Sequence, residues 1–449
     1  MGSGRVSVRL SDLEECFEGV IPSAVATLDA AGVPNVSYLS QVYRVDDDHV
    51  ALSNQFFSKT AANVQATGRA TVMLVNGRSG EQHMLDLVYV GSLAQGDVYE
   101  RMSAQLAAIS TQHGLAEAML LRSAEVYRVT GRRDVVAPTP PVSMPSGSTP
   151  GVRLPQAARL TARIGTGASA DEMLDTALDG LVRDMRFAAV MALVFDPATG
   201  MLNTLGSRGY PREGAGAEVA LGEGAIGIAA SHRLAIRFND MSRGRRYAAA
   251  VRQVAEADAE RTIPLPGLPA AQSQLAAPMV ARGELFGVLF AESEERFAFA
   301  PEDEDALSLV GAQLAASLRL AELQSHEPQA APPLAAADPG EATFRVRYHL
   351  HDDSLFIDDA YLIKGVPGRL LFHFLSVHAE TGRQDFTNRE IRLDAALRLP
   401  ELKDNLETRL ILLRRRLDER EAPVRLGRPA RGSIRLELSG RPELEVVRG

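Results

Sequence analysis

Three stretches of the chain gather side chains able to do chemistry. The first is Ser53-Asn-Gln-Phe-Phe-Ser58-Lys59-Thr60-Ala-Ala-Asn63, where a strand ends and hydroxyl, ammonium and amide groups meet at a helix start. Free N–H groups and the helix dipole favour an anion there, and Lys59 adds a point charge. On spacing alone, Ser58 as an N-cap beside a solvated Lys59 is the commoner arrangement. The second is Leu221-Gly222-Glu-Gly224-Ala-Ile-Gly227, a literal G-x-G-x-x-G. A dinucleotide fingerprint also needs a βαβ unit and an acid about 20 residues on. Asp240 follows too early and residues 234–238 read as a strand, so a tight turn into a short helix is expected. The third is Arg409-Leu-Ile-Leu-Leu-Arg414-Arg415-Arg416-Leu417. Leu402, Leu406, Leu410, Leu413 and Leu417 form one apolar helix face. Asp404, Asn405, Thr408, Leu412 and Arg415 point away from it, with Arg414 and Arg416 flanking. Arg425, Arg428, Arg431 and Arg435 follow in a hairpin, where phosphate or minor-groove contact is expected.

The whole chain bounds these readings. It has 449 residues, 48 Lys+Arg, 57 Asp+Glu, one cysteine and no tryptophan. That length favours two to four domains at roughly 100–200 residues each. A lone Cys16 excludes an internal disulfide framework and a four-cysteine metal site. His349 and His351 share a strand face without a third ligand, so no metal site is expected. No run of about 18 apolar residues and no apolar signal core are visible, so a cytoplasmic protein without membrane contact is expected. The net charge of −9 argues against nucleic-acid binding along the whole length. That acidity is uneven: residues 341–449 carry 20 basic and 18 acidic groups, and residues 361–436 carry 16 and 10.

Two proline-rich stretches, residues 138–155 and 325–340, read as semi-rigid linkers. They divide the chain into modules at 1–137, 156–324 and 341–449. In the first, alternating strands over 23–28, 36–43, 49–53, 71–75, 85–91 and 124–129 surround a helix start near Lys59 and a helix over 100–120. In the second, Ser169-Ala-Asp-Glu172 is a capping box. Strands over 188–195 and 201–207 follow, then the glycine turn, a hairpin over 273–290 and a closing helix over 301–322. His232 reads as a surface or core histidine. In the third, short strands precede helices over 368–380, from the Thr387-Asn-Arg-Glu390 capping box, and over 399–420. A hairpin over 424–438 ends the set, so three helices and a β-wing are expected.

The motifs carry three family resemblances. VSYLSQVYRV followed by SNQFFSKTAANV resembles the flavin-binding split barrel of the pyridoxamine-phosphate-oxidase-like family, over about residues 10–135. The resemblance implies that Ser58, Lys59, Thr60 and Asn63 hold the FMN phosphate. It implies that Tyr38, Ser40, Gln41 and Ser53 lie near the ring or ribityl chain, in a homodimer with flavin at the interface; haem or an empty barrel are the alternatives. GEGAIGIAASHRLAIRFNDM, with the later hairpin, resembles a GAF domain over about residues 160–323, which implies a small-molecule effector of unstated identity. The stretch from Ser354 to Leu375, the arginine helix and Arg428-Pro-Ala-Arg-Gly432 resemble a response-regulator-type (OmpR-like) winged helix. That resemblance implies DNA contact through Asn405, Thr408, Arg414, Arg415, Arg416, Arg428, Arg431 and Arg435.

The expected fold class is therefore multidomain α+β: a split β-barrel, a GAF α/β sandwich and a C-terminal winged helix. Two function classes follow. One is a flavin- or ligand-responsive transcription regulator binding DNA as a dimer. The other is a flavin-dependent oxidoreductase regulated by its appended domains, in which the cofactor carries the chemistry.

Overall fold

The computed structural model describes residues 9–55, 59–112, 120–135, 153–241, 263–324, 342–399 and 406–448. Among the described residues, the first module is one antiparallel sheet of order β2-β1-β5-β6-β7-β4-β3. Its strands are β1 (Ser23–Leu28), β2 (Pro34–Leu39), β3 (Val42–Arg44), β4 (His49–Asn54), β5 (Arg69–Val75), β6 (Gln82–Leu93) and β7 (Ser123–Val135). Helix α1 (Lys59–Thr67) follows β4, and α2 (Asp97–Gln112) lies between β6 and β7. Alternate residues of β5 and β6, such as Val72, Leu74, Leu85 and Leu87, face a core shared with Val25, Leu52 and Tyr127. This is the period-two pattern of a half-buried strand. Cys16 lies in the same core, and burial pushes its thiol up to about 12, which leaves it unreactive at neutral pH.

The middle module is a six-stranded antiparallel sheet of order β10-β9-β8-β13-β12-β11. The strands are β8 (Ala189–Asp196), β9 (Met201–Arg208), β10 (Glu218–Ala220), β11 (Ile236–Phe238), β12 (Ser273–Ala281) and β13 (Glu284–Ser293). Helices α3 (Arg153–Gly165), α4 (Ala170–Arg183) and α6 (Pro301–Gln324) share one core with residues of the sheet, and α5 (Gly224–His232) belongs to the other. Helix α3 begins inside the stretch read as a linker. Pro155 sits in its first turn, where no hydrogen bond is lost, and Ala157, Leu160 and Ile164 bury one stripe. Helix α6 is long and apolar enough to cross a membrane by length and composition, yet half of that window is buried within the fold. The glycine motif is the tight turn expected. Gly222 and Gly224 have positive φ, and a Cβ on Gly227 would lie 2.2 Å from the Ala220 carbonyl oxygen.

The third module contains β14 (Thr343–His349), β15 (Ser354–Ile357), β16 (Ala360–Ile363), α7 (Gly365–Thr381), β17 (Asp385–Thr387), α8 (Asn388–Leu393), α9 (Leu406–Glu419), β18 (Val424–Gly427), β19 (Ser433–Leu438) and β20 (Arg441–Val447). The sheets run β16-β15-β14-β20 and β17-β19-β18. The first two helices and the following hairpin stand where the sequence placed them; the third, expected over 399–420, is helical from Leu406, with residues 400–405 outside the described residues, and β16, β17 and β20 were not expected. Strand β20 pairs in parallel with β14, so the module's two ends share one sheet. The Glu390 N–H donates to Thr387 Oγ1 at 3.3 Å, closing the capping box.

The modules pack against one another. Ala104 and Ala108 of α2 are buried in the same core as Met191, Leu193, Ile226 and Ala229 of the middle module. Arg237 on β11 pairs with Glu18 of the first module and, at 3.3 Å, with Glu304 on α6. Glu304 also takes Arg101 of α2 at 2.7 Å. On the opposite face of the sheet, one core runs from α4 and α6 into α7 and α9.

The middle sheet leaves no space at its centre. A Cβ on Gly287 of β13 would lie 1.9 Å from the Leu193 carbonyl oxygen and 2.6 Å from Met279 Cε. Gly287→Ala is expected to cost at least about 1–3 kcal/mol of stability, read as a lower denaturant midpoint; an unchanged midpoint would contradict this packing.

Candidate functional site

In the first module, α1 packs against β1 and β2, and Lys59 is exposed at the first position of that helix. Ser58 lies outside the described residues. Thr60 is committed elsewhere: its Oγ1 hydrogen-bonds the Ser37 hydroxyl at 2.8 Å and accepts from Asn35 Nδ2 at 3.0 Å. Asn63 faces inward, buried, and donates to Thr27 Oγ1 at 3.1 Å. It is a strut between α1 and β1, in contrast to the phosphate-facing position expected of it. Ser40 donates to Gln55 Oε1 at 2.9 Å, and the Gln41 N–H donates to Ser53 Oγ at 3.2 Å. Gln41 Oε1 and Gln55 Nε2 are buried with no hydrogen-bond partner among the described residues. Tyr38 stands 83 % exposed on edge strand β2.

This set fits a flavin mononucleotide in part. The ammonium of Lys59 at a helix start suits a phosphate. An unpartnered buried acceptor and donor suit the polar edge of a heteroaromatic ring, since such groups are costly left alone. The inward turn of Asn63 removes one phosphate ligand from the expected set.

In the middle module the structure brings together residues that sequence reasoning missed. Glu292 is buried, and its carboxylate accepts from Gln274 Nε2 at 2.7 Å and from the Leu268 N–H at 3.1 Å. Burial holds its pKa above the ordinary carboxylate range, against the lowering pull of those hydrogen bonds. Burial and Glu292 together hold the Tyr210 phenol well above its usual value. By alternation on β13, Glu292 shares the sheet face of Val288 and Phe290 that α5 covers. The only signal in the sequence was an acid at an inward position of an otherwise apolar strand.

In the third module the arginine helix is enclosed. Leu406, Leu410, Leu413 and Leu417 are buried in the core, as expected. The opposite face, expected to be open to a groove, is buried too: Thr408 and Leu412 are 3 % and 4 % exposed. Arg409 pairs with Asp196 at 3.1 Å, Arg414 with Asp171, and Arg415 with Asp175 at 2.9 Å, all three acids belonging to the middle module. Glu419 accepts the Gly214 and Ala215 N–H groups at 3.2 and 3.1 Å. Arg416 Nε donates to the Leu362 carbonyl at 2.8 Å, and its guanidinium pairs with Glu419 at 3.1 Å. Arg428 pairs with Glu407 at 3.3 Å, Arg435 with Asp385 at 2.6 Å, and Arg431 donates to Gln324. Asn405 lies outside the described residues. In this arrangement none of the described DNA-contact candidates on α9 presents an open side chain. A cavity of about 300 Å³ lies beside α9, between the two modules.

Comparison with known proteins names two of the modules. Residues 167–319 match the GAF domain family and residues 12–136 match the pyridoxamine 5'-phosphate oxidase family. No curated protein matches the chain. Among solved structures, the chain is similar to the GAF domain of an Acinetobacter phosphoenolpyruvate-protein phosphotransferase. The identity is 20 %, over 39 % of this chain and 97 % of that one, with a TM-score of 0.32. It is similar to an FMN-binding protein from Syntrophomonas wolfei at 18 % identity, over 29 % and 93 %, with a TM-score of 0.24. It is also similar to a free methionine-R-sulfoxide reductase from Neisseria meningitidis at 15 % identity, over 39 % and 92 %, with a TM-score of 0.30. The chain thus contains a split barrel of the pyridoxamine-phosphate-oxidase type and a GAF domain. Neither family match reaches the third module.

Lys59→Ala is expected to weaken FMN binding about tenfold or more. Asn63→Ala is expected instead to cost about 1–3 kcal/mol of stability by orphaning Thr27. Flavin-fluorescence titration and thermal melts separate the two, and the reverse pattern would contradict the placement of both residues. For Glu292, a raised pKa means that the folded state favours the protonated form. Its stabilisation is full below the unfolded pKa and is lost as pH rises through the folded one. Glu292→Gln, always neutral, is therefore expected to gain Tm over the parent as pH rises above the ordinary carboxylate range. A difference that does not change with pH would contradict the burial argument.

Proposed function

We propose that the protein is a small-molecule-responsive regulator whose third module is a winged-helix nucleic-acid-binding domain, held off DNA by the GAF domain. The observation that carries this reading is the seat of α9. Three of its arginines meet Asp171, Asp175 and Asp196 of the GAF domain. Arginine recognises carboxylate and phosphate by the same planar donor set, so these aspartates occupy the place of backbone phosphates. The order strands, helix, strand, helix, helix, hairpin supports the winged-helix reading, and a basic helix followed by basic hairpin residues supports the choice of ligand.

Masking and release then form a two-state element. The docked state gains charge-assisted pairs and an apolar contact through Leu412. The released state exposes the same arginines to solvent and to phosphate. An effector that favours one state shifts the balance by its difference in affinity for the two. FMN is the cofactor proposed for the barrel; when bound it supplies reversible redox chemistry. Lys59 would hold its phosphate, with Gln41 and Gln55 toward its ring. A signal at the barrel has a route to the GAF domain through α2, whose Ala104 and Ala108 sit against α5. A homodimer is proposed through edge strand β2, where Val36 and Tyr38 stand 69 % and 83 % exposed and backbone groups are unpaired on one side.

Fluorescence anisotropy with labelled duplex DNA at about 50 and about 200 mM salt tests the reading. The double variant Asp171→Asn/Asp175→Asn is expected to bind at least about tenfold tighter than the parent, with affinity falling steeply as salt rises. Adding Arg414→Ala and Arg415→Ala is expected to abolish that gain. A folded double variant with no salt-sensitive DNA binding would overturn the proposal.

A further inference from the structure

The cavity between the GAF domain and the third module has walls of opposite charge. Asp196 at the end of β8 and Glu218 on β10 line the GAF side, and Arg409 of α9 and Lys364 before α7 line the other. Each base pairs across the gap: Lys364 Nζ with Glu218 at 2.7 Å and Arg409 with Asp196 at 3.1 Å. A third carboxylate, Asp352, also lines the space. Between these groups the lining is mainly apolar, from Phe195, Ile263, Ile363, Val366 and Leu412, with Asn203 and Thr408 among the uncharged polar groups. The volume of about 300 Å³ is at the small end for a ligand site, and an apolar lining with a few converging polar groups is the usual character of one.

The charge pattern selects the ligand chemistry. A simple anion that reached Arg409 and Lys364 would face three carboxylates. A simple cation that reached Asp196 or Glu218 would face both bases. A molecule carrying an ammonium and a carboxylate on adjacent atoms satisfies both walls at once, and the apolar lining accommodates an apolar side chain. We propose that this cavity binds an apolar α-amino acid, its carboxylate toward Arg409 and Lys364 and its ammonium toward Asp196 and Glu218. The site stands at the β10 edge of the sheet, apart from the sheet face that α5 and Glu292 share.

The location gives the ligand leverage. Thr408, Arg409 and Leu412 of α9 form part of the wall, so an occupant touches the masked helix directly and replaces two of the ion pairs that hold the modules together. That consequence rests on the reading of α9 as the output element; binding itself does not.

Isothermal titration of the full chain with L-phenylalanine, L-leucine and L-methionine tests the site. Phenethylamine and 3-phenylpropanoate serve as the amine-only and acid-only controls. Saturable binding of at least one amino acid is expected, with both controls at least about tenfold weaker. Lys364→Ala and Glu218→Gln, both at partly exposed positions, are each expected to weaken the amino acid by about tenfold while the melting transition stays cooperative. No binding by any of the three amino acids would overturn the proposal. So would a control that binds as well as the amino acid, or binding that survives both variants unchanged. The same samples are scored for DNA affinity with and without amino acid. Binding without any DNA effect sinks the reading of α9 and leaves the site standing; tighter DNA binding by Asp171→Asn/Asp175→Asn when the parent chain binds none of the amino acids does the reverse.

Discussion

Helix α9 has two buried faces, and the rest of the molecule is arranged around that constraint. One face supplies leucines to its own module. The other carries arginines that meet GAF aspartates across a partly buried contact. Ion pairs in such a place are poor sources of net stability, because desolvation offsets much of their attraction. They are strong sources of specificity, because removing one partner leaves a charge stranded. The contact therefore fixes where α9 sits more than how tightly the chain folds. A seat of that kind can be vacated when something else supplies equivalent partners, such as phosphate for the arginines or a zwitterion for one acid and one base.

The GAF domain is gripped on its other face as well. Alanines of α2 lie against α5, and the small side chains allow that close approach. Around them Arg237 is buried between Glu18 and Glu304, and Arg101 completes the set. The sheet is thus held between a barrel helix on one side and an arginine helix on the other. Motion of either neighbour acts on the same six strands, which gives the sensory domain a physical means of joining the flanking modules.

Much of this was legible from local pattern. The period-two strands of the barrel, both capping boxes, the turn hidden in a dinucleotide-like motif and the leucine stripe of α9 all follow from short-range chemistry. What failed was long-range. Asn63 reads as a phosphate ligand until Thr27, far away in sequence, is seen to accept its proton. Thr408 and Leu412 read as groove-facing because the helix wheel shows one apolar face and cannot show a second surface brought by residues 171–216. Strand β20 was missed because its pairing with β14 is parallel and spans the whole module. Helix α3 was hidden by prolines and small residues upstream, although its own Leu160 and Ile164 are spaced for burial. Glu292 carried almost no signal, since a single acid in an apolar strand acquires meaning only when its depth is known.

The central claim is that GAF carboxylates hold α9 in place. A double-mutant cycle between Asp171 and Arg414, read by chemical denaturation of the full chain, measures it directly. The account predicts a coupling energy of about 1 kcal/mol or more, because both side chains are largely withdrawn from water. A coupling within about 0.3 kcal/mol of zero would mean that the pair does not hold the helix, and the masked output element would have to be abandoned.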